Sequence, residues 1–339
     1  MKKLLFILFL LSIIIVFFYE NYNSNYISNS ENNIDISSIV TYDKNLNIVN
    51  DLPFIEYPLD YQNDGKISFK EKTYSIDEII KCIDENTNDF KDKMALYYYN
   101  FDTDEEYFFN EDTYFVAASL KKVPLVMQVL DKVYKCELSL NDEIKYIESS
   151  DYATGTGILQ FEDNIGSRSI DELIKLSIIE SDNIAYNMLN RVCGNTLTEY
   201  IENITSDYTA NDDEYLKLTA KQNFEILYRL YKNPDNNPYY STVIELMKET
   251  EFHDRLDKYI AYEKVSHKIG SYYRYYHDMG FIFAEETYLL VVLSKDIGEL
   301  SNSPEFTPEQ EERIVIDWGD EACEVIAVLS KSIFNIINR

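Results

Sequence analysis

Hydrophobic and polar positions divide this chain into segments of distinct period. An unbroken apolar run from Leu4 to Phe18 comes first, and Asn- and Ser-rich sequence without clear periodicity fills residues 20 to about 50. At Ser75 the pattern becomes helical. The serine is a good N-cap, and Ile76, Ile79, Ile80 and Ile83 fall on one face. "MALYYYNF" (94–101) and "EYFFN" (106–110) are aromatic and β-rich, and "DTDE" between them predicts a hairpin. Helical spacing returns near Ser119, again over 169–179 behind a Ser cap, over 183–194 up to Gly194, and over 219–233 behind Thr219. Three short strands follow within 261–295, then a terminal helix with Thr307 as cap and Pro308 in its first turn. Strands and helices do not alternate strictly. The order therefore predicts an α+β fold: an antiparallel sheet flanked by helices, with an all-helical region inserted from about 119 to 255. A site between two such regions would occupy a natural cleft.

The first apolar run is preceded by Lys2 and Lys3, the pattern of an export signal. Its 15 residues are short of the roughly 17–25 that span a bilayer, although Tyr19 can extend it at the interface. "YENYNSN" offers no small-x-small cleavage site, Ser28 and Ser30 lie far downstream, and no cysteine follows for a lipid anchor. The expectation is an uncleaved signal-anchor over 1–19, a polar tether and lead-in over 20–72, and a folded domain over 73–339. The domain would sit outside a membrane crossed once, with secretion after signal cleavage as the alternative. The net charge is −29, from 60 acidic and 31 basic residues, which argues against nucleic acid and anionic lipid as partners. Cys82, Cys136, Cys193 and Cys323 form no C-x-x-C pair, so disulfides and separate buried thiols both stay open.

The stretch "FVAASLKKVPLV" (115–126) places two lysines where a helix should settle into a core. Ser119 and Lys122 are spaced i, i+3 and share a helix face. A serine hydroxyl becomes a nucleophile when a neighbour takes its proton, and a lysine can do so if burial or another cation lowers its pKa. Lys121 points elsewhere and reads as a solvated lysine. One S-x-x-K is weak evidence. Two further signals give it weight: Ser181-Asp182-Asn183 at a boundary between helices, and Lys268-Ile269-Gly270-Ser271 within a strand. A Ser-His-Asp hydrolase is poorly supported. There is no G-x-S-x-G elbow, and His253, His267 and His277 read mostly as packing or surface residues. A metal enzyme lacks paired ligands at useful spacing.

The order S-x-x-K, S-D-N, K-T-G resembles the signature of class A β-lactamases and penicillin-binding proteins. "YFVAASLKKVPL" resembles their nucleophile helix, "SIDELIKLSIIESDNIAYNMLN" their helix, S-D-N loop and next helix, and "KIGSYYRYYHDMGFIF" their third motif. The resemblance covers roughly residues 75 to 335. It implies that Ser119 is acylated, that Lys122 is the base and that Ser181 relays a proton to the leaving nitrogen. Asn183 would bind the substrate amide. Lys268 would add charge beside Ser181 and Lys122. Gly270 and Ser271 would line the substrate, with an oxyanion hole built from the backbone N–H groups of Ser119 and Ser271. Asp182 would be structural. No cofactor or metal is implied, and the substrates would be β-lactams or D-alanyl peptides of the cell wall.

Two departures stand out. Ile269 replaces the usual Thr or Ser, so carboxylate binding would pass to Ser271 and a basic residue such as Arg274. The segment "SDYTANDDEYLKLTAKQ" is shorter than the loop that carries the deacylating glutamate of class A enzymes, although Asp213 and Glu214 lie near that place. A hydrolase with turnover, a D,D-peptidase-like protein that deacylates slowly and a catalytically weak anchored binding protein all remain open.

Overall fold

The computed structural model describes residues 73–211, 215–298 and 308–339, with side chains in the last stretch from residue 319 onward. The proposed signal-anchor and the whole of the tether and lead-in lie outside these residues. Among the described residues, no helix is long and apolar enough to cross a membrane.

The elements in chain order are α1 (Ile76–Thr87), β1 (Met94–Asn100), β2 (Glu106–Phe109), β3 (Phe115–Val116), α2 (Lys122–Tyr134), β4 (Glu143–Lys145), α3 (Glu148–Asp151), β5 (Ser167–Ser169), α4 (Ile170–Ile178), α5 (Asn183–Val192), α6 (Leu197–Ile204), β6 (Ala210–Asn211), β7 (Leu216–Leu218), α7 (Ala220–Lys232), α8 (Tyr240–Lys248), β8 (Val265–Tyr272), β9 (Tyr275–Phe283), β10 (Thr287–Ser294) and α9 (Pro308–Ile337). The main sheet is antiparallel in the order β2-β1-β10-β9-β8. The first hairpin and the last three strands therefore meet in one sheet, as the pattern predicts. Those three strands run eight or nine residues each rather than being short.

Both faces of the sheet are covered, and the period of two shows how. Along β1, Ala95, Tyr97 and Tyr99 enter the core shared with the helical region. Met94, Leu96 and Tyr98 enter a second core with α1 and α9. β10 divides the same way, with Leu289, Val291 and Leu293 on one side and Tyr288, Leu290 and Val292 on the other. Two-sided burial explains why these strands read as continuous apolar runs. Helix α1 presents Ile79 and Ile83 to α9, where Ala322, Ile326, Leu329 and Ile333 form the matching stripe. Each buried isoleucine or leucine among these is worth about 1.5–3 kcal/mol. Ser75 caps α1 through Glu78 N, and Thr219 with Gln222 forms a capping box at α7.

The inserted region is mainly helical, but it also carries two small sheets, β3-β7-β6 and β4-β5. Its centre is α2, buried on nearly every side from Lys122 to Leu130. Helices α3, α6 and α8 have no counterpart in the sequence pattern. All four cysteines are unpaired, Cys136 exposed and the others buried.

Candidate active site

The helix expected from Ser119 does not begin there. Ala118 has φ +46°, a left-handed conformation that breaks helical geometry, and residues 118–121 form a single tight 3-10 turn before α2. The kink turns Ser119 toward β8. Gly270 lets the two approach, because a Cβ there would lie 3.0 Å from Leu120 Cγ and 3.2 Å from Ala117 O. On the other side, β3 pairs with β7, and Ala117 N donates to Leu216 O at 2.9 Å. The segment before Thr219 thus ends beside the strand that leads into Ser119. Asp213 and Glu214 lie outside the described residues.

The Ser181-Asp182-Asn183 turn is held by a loop that sequence reading did not single out. Asp182 caps α5 through Ala185 N and accepts from Leu159 N at 2.8 Å, which bears out its structural role. Gly157 must be glycine here: its φ is +106°, and a Cβ would overlap Asp182. Thr156 Oγ1 donates to Ser181 O at 2.7 Å, and Asn183 Nδ2 donates to Thr154 O at 2.9 Å. Ser181 itself has φ +51°. This turn points the serine hydroxyl between two lysines.

Lys122 Nζ reaches Ser119 Oγ at 3.1 Å, Ser181 Oγ at 3.1 Å, Asn183 Oδ1 at 2.8 Å and the Ser181 carbonyl. From the opposite side, Lys268 Nζ donates to Ser181 Oγ at 2.9 Å. Ser119, Lys122, Ser181, Asn183 and Lys268 are therefore brought together as the motif order predicts. Burial pushes Lys122 well below the usual lysine range, and the charges of Lys268 and Lys121 push it further. Burial lowers Lys268 to about 7, with Arg255 adding to the effect and Asp278 opposing it. A neutral Lys122 amine keeps two donors for Ser181 and Asn183 and can turn its lone pair toward Ser119. Asn183 retains its second Nδ2 hydrogen for a ligand.

The expectation for Lys121 is overturned. It is half-buried, with its ammonium 4.7 Å from the ring centroid of Tyr186. Burial lowers its pKa also.

Ser271 is exposed at the end of β8, next to the buried Ile269. The cation beside it is Arg255 rather than Arg274. Arg255 Nη2 donates to Ser271 Oγ at 2.6 Å, and Nη1 donates to His277 O at 2.7 Å and Gly270 O at 3.3 Å. Arg274 pairs with Asp296 at 3.0 Å. Nothing in "FHDRLDKY" marks Arg255 out, because its role comes from a turn that folds back beneath β8.

His277 locks the sheet to the nucleophile segment. Its Nε2–H donates to Val116 O at 2.9 Å, and its Nδ1 accepts from Ser294 N at 3.1 Å. Burial pushes the imidazole down to about 4 from 6.5, and the Arg255 charge assists. An unfolded chain therefore binds a proton in this window that the folded chain refuses. Stability should fall as pH drops from 6.5, with the loss complete near 4 at roughly 3 kcal/mol. Urea unfolding midpoints at pH 7 and pH 4 measure this. His277→Gln should show a smaller difference between the two, and an undiminished difference would remove His277 as its source.

A sequence profile of the β-lactamase enzyme family matches residues 75–317. No curated protein matches the chain. Among solved structures, a β-lactamase from Sphaerobacter thermophilus superposes with a TM-score of 0.62 at 18% identity, covering 78% of this chain and 98% of that one. A class A β-lactamase representative from Bacteroides cellulosilyticus gives 0.62 at 22% identity, covering 77% and 98%. A PBP-A mutant solved as an acyl-enzyme complex with penicillin G gives 0.62 at 17%, covering 77% and 96%. At these identities the structures speak for the fold, while the profile match spans most of the described domain. The chain belongs to the β-lactamase enzyme family.

Proposed function

We propose that this protein is a serine acyl-transfer enzyme that opens β-lactams, or cleaves D-alanyl cell-wall peptides, through an acyl-enzyme on Ser119. The observation that carries this reading is the placement of Lys122 Nζ at 3.1 Å from both Ser119 Oγ and Ser181 Oγ, with Lys268 closing on Ser181 from the far side. Lys122 takes the hydroxyl proton as Ser119 Oγ bonds to the substrate carbonyl carbon. The backbone N–H groups of Ser119 and Ser271 face the developing oxyanion. The carbonyl carbon–nitrogen bond then breaks, and the nitrogen receives the proton from Lys122 through Ser181. Asn183 orients the substrate amide. Ser271, backed by the Arg255 guanidinium, takes the carboxylate in place of the hydroxyl that Ile269 lacks. Water afterwards hydrolyses the ester and regenerates Ser119.

The N-terminal apolar run would tether this domain to the outer face of the cell membrane, where cell-wall peptides and β-lactams are met. Incubating the full-length protein with a fluorescent penicillin tests the chemistry. Intact mass should show one covalent equivalent or the penicillin should be hydrolysed, and absence of both adduct and hydrolysis would overturn the enzyme reading. The adduct's lifetime then separates hydrolytic turnover (short) from a D,D-peptidase-like protein (long). The PBP-A mutant's penicillin acyl-enzyme supports testing for the second.

A further inference from the structure

Behind β8, on the side away from Ser181, three side chains from two segments converge. One ligand atom from each of His253, Asp257 and His267 lies within 4.8 Å of the other two, and Asp257 Oδ2 meets both His253 Nδ1 and His267 Nε2. We propose that they form a binding site for one divalent transition-metal ion, zinc by ligand type, with His253, Asp257 and His267 as its ligands.

The buried end of the site carries the argument. His267 is 1% exposed, yet its Nε2 has no hydrogen-bond partner. It faces Asp257 Oδ2 at 3.3 Å without hydrogen-bond geometry. Asp257 Oδ1 is likewise buried and without a hydrogen bond. Orphaned polar atoms at this depth are costly, and a shared cation would satisfy both residues. The other nitrogen of the same ring is fully committed. His267 Nδ1 contacts Asp278 Oδ2 at 2.8 Å and Oδ1 at 3.1 Å, and Asp278 is itself fixed by Leu256 N at 3.0 Å. A carboxylate that holds the Nδ1–H leaves the Nε2 lone pair for a metal, the carboxylate–histidine–metal arrangement. Bonds of about 2 Å in a tetrahedral shell set ligand atoms roughly 3.3 Å apart, which is the separation of Asp257 Oδ2 and His267 Nε2, while His253 would draw back from its close contact with Asp257 Oδ2 to admit the ion.

The outer end is open. His253 is half exposed and its Nδ1 already touches Asp257 Oδ2, so the fourth position would face water. Charge also balances, since Asp257 and Asp278 together offset one divalent cation. Arg255 lies in the same turn, but its guanidinium is directed to His277 O, Gly270 O, Ser271 Oγ and Cys323 Sγ. Lys268, next along β8, directs its ammonium to Ser181. The bound ion would pin the turn that carries Arg255 to the strand that carries Lys268. Sequence spacing conceals the site, because His267 joins the 253–257 pair only through the fold.

The test uses full-length protein stripped of metal by a chelator, then titrated with zinc against a chromogenic chelator. Wild type should bind one zinc per chain, and both His253→Ala and His267→Gln should weaken binding by about tenfold or more. His253→Ala removes a half-exposed ring and should fold, which circular dichroism checks. Zinc should raise the melting temperature of wild type but not of His253→Ala. Cobalt(II) in the same site should give the visible bands of tetrahedral coordination. Absence of stoichiometric zinc, or zinc binding and thermal shift undiminished in His253→Ala, overturns the proposal. In that case His267 is an imidazolium held between two carboxylates.

Discussion

Ser119→Ala is expected to abolish the covalent penicillin adduct, with a fall in acylation rate on the order of 10^4- to 10^6-fold. The other hydroxyl in the cluster is Ser181, bonded to both Lys122 and Lys268, and it cannot substitute. It is 1% exposed, and its Oγ already accepts from Lys122 and Lys268. Its left-handed backbone, clamped by Thr156, fixes that hydroxyl in place. Ser119 is only half-buried and sits at the mouth of the cluster. Losing its Oγ removes one acceptor from Lys122 and leaves the others, so the fold should persist. Peptide mapping of the wild-type adduct should place the added mass on the peptide containing Ser119. An adduct of equal yield on Ser119→Ala would mean that penicillin reacts elsewhere, and the acyl-enzyme reading would fail.

What the sequence makes visible, and what it hides, follows from the range of the interactions involved. The caps Ser75, Ser169 and Thr219 act within four residues, and the structure places helices behind all three. The central strands β1 and β10 announce themselves because burial on both faces favours unbroken apolar runs. The kink at Ala118 leaves no such trace: its positive φ lies where β3 meets β7 and where Gly270 approaches from another part of the chain. β3 and β7 are two and three residues long, too short for any periodic signal. At the site, the S-x-x-K, S-D-N and K-I-G motifs name the residues that meet. They could not show that Arg255 rather than Arg274 stands beside Ser271. Nor could helical spacing see Tyr186 arriving from α5 to cover Lys121. The expectations for residues 1–72, and for Asp213 and Glu214, concern parts of the chain outside those described.

The contrast between the adjacent lysines gives the second large effect. Lys122→Ala should slow acylation of Ser119 by about 10^2- to 10^4-fold, the contribution of a positioned general base. The pH dependence shows whether Lys122 acts in that capacity. The base works only when neutral, so acylation should rise with pH through the Lys122 pKa. Burial and the charges of Lys268 and Lys121 place that pKa well below the ordinary 10.5, and the rising limb should sit correspondingly low. The sign of a perturbation then follows. Removing a neighbouring positive charge makes the Lys122 ammonium easier to hold, raises its pKa and moves the limb toward higher pH. Lys121→Met does this without touching Ser119, Ser181 or Asn183. The rate at saturating pH should be nearly retained while the limb shifts alkaline. Below about pH 7, where Lys268 is itself charged, Lys268→Ala should shift the limb further, because its charge acts on Lys122 more strongly than that of Lys121. It should also lower the plateau, since Ser181 loses one of its two lysines. Stopped-flow acylation rates across pH for the three variants and wild type decide the matter. If the limb in Lys121→Met stays in place or moves to lower pH, Lys122 is not the group that titrates, and the base must be sought elsewhere in the cluster.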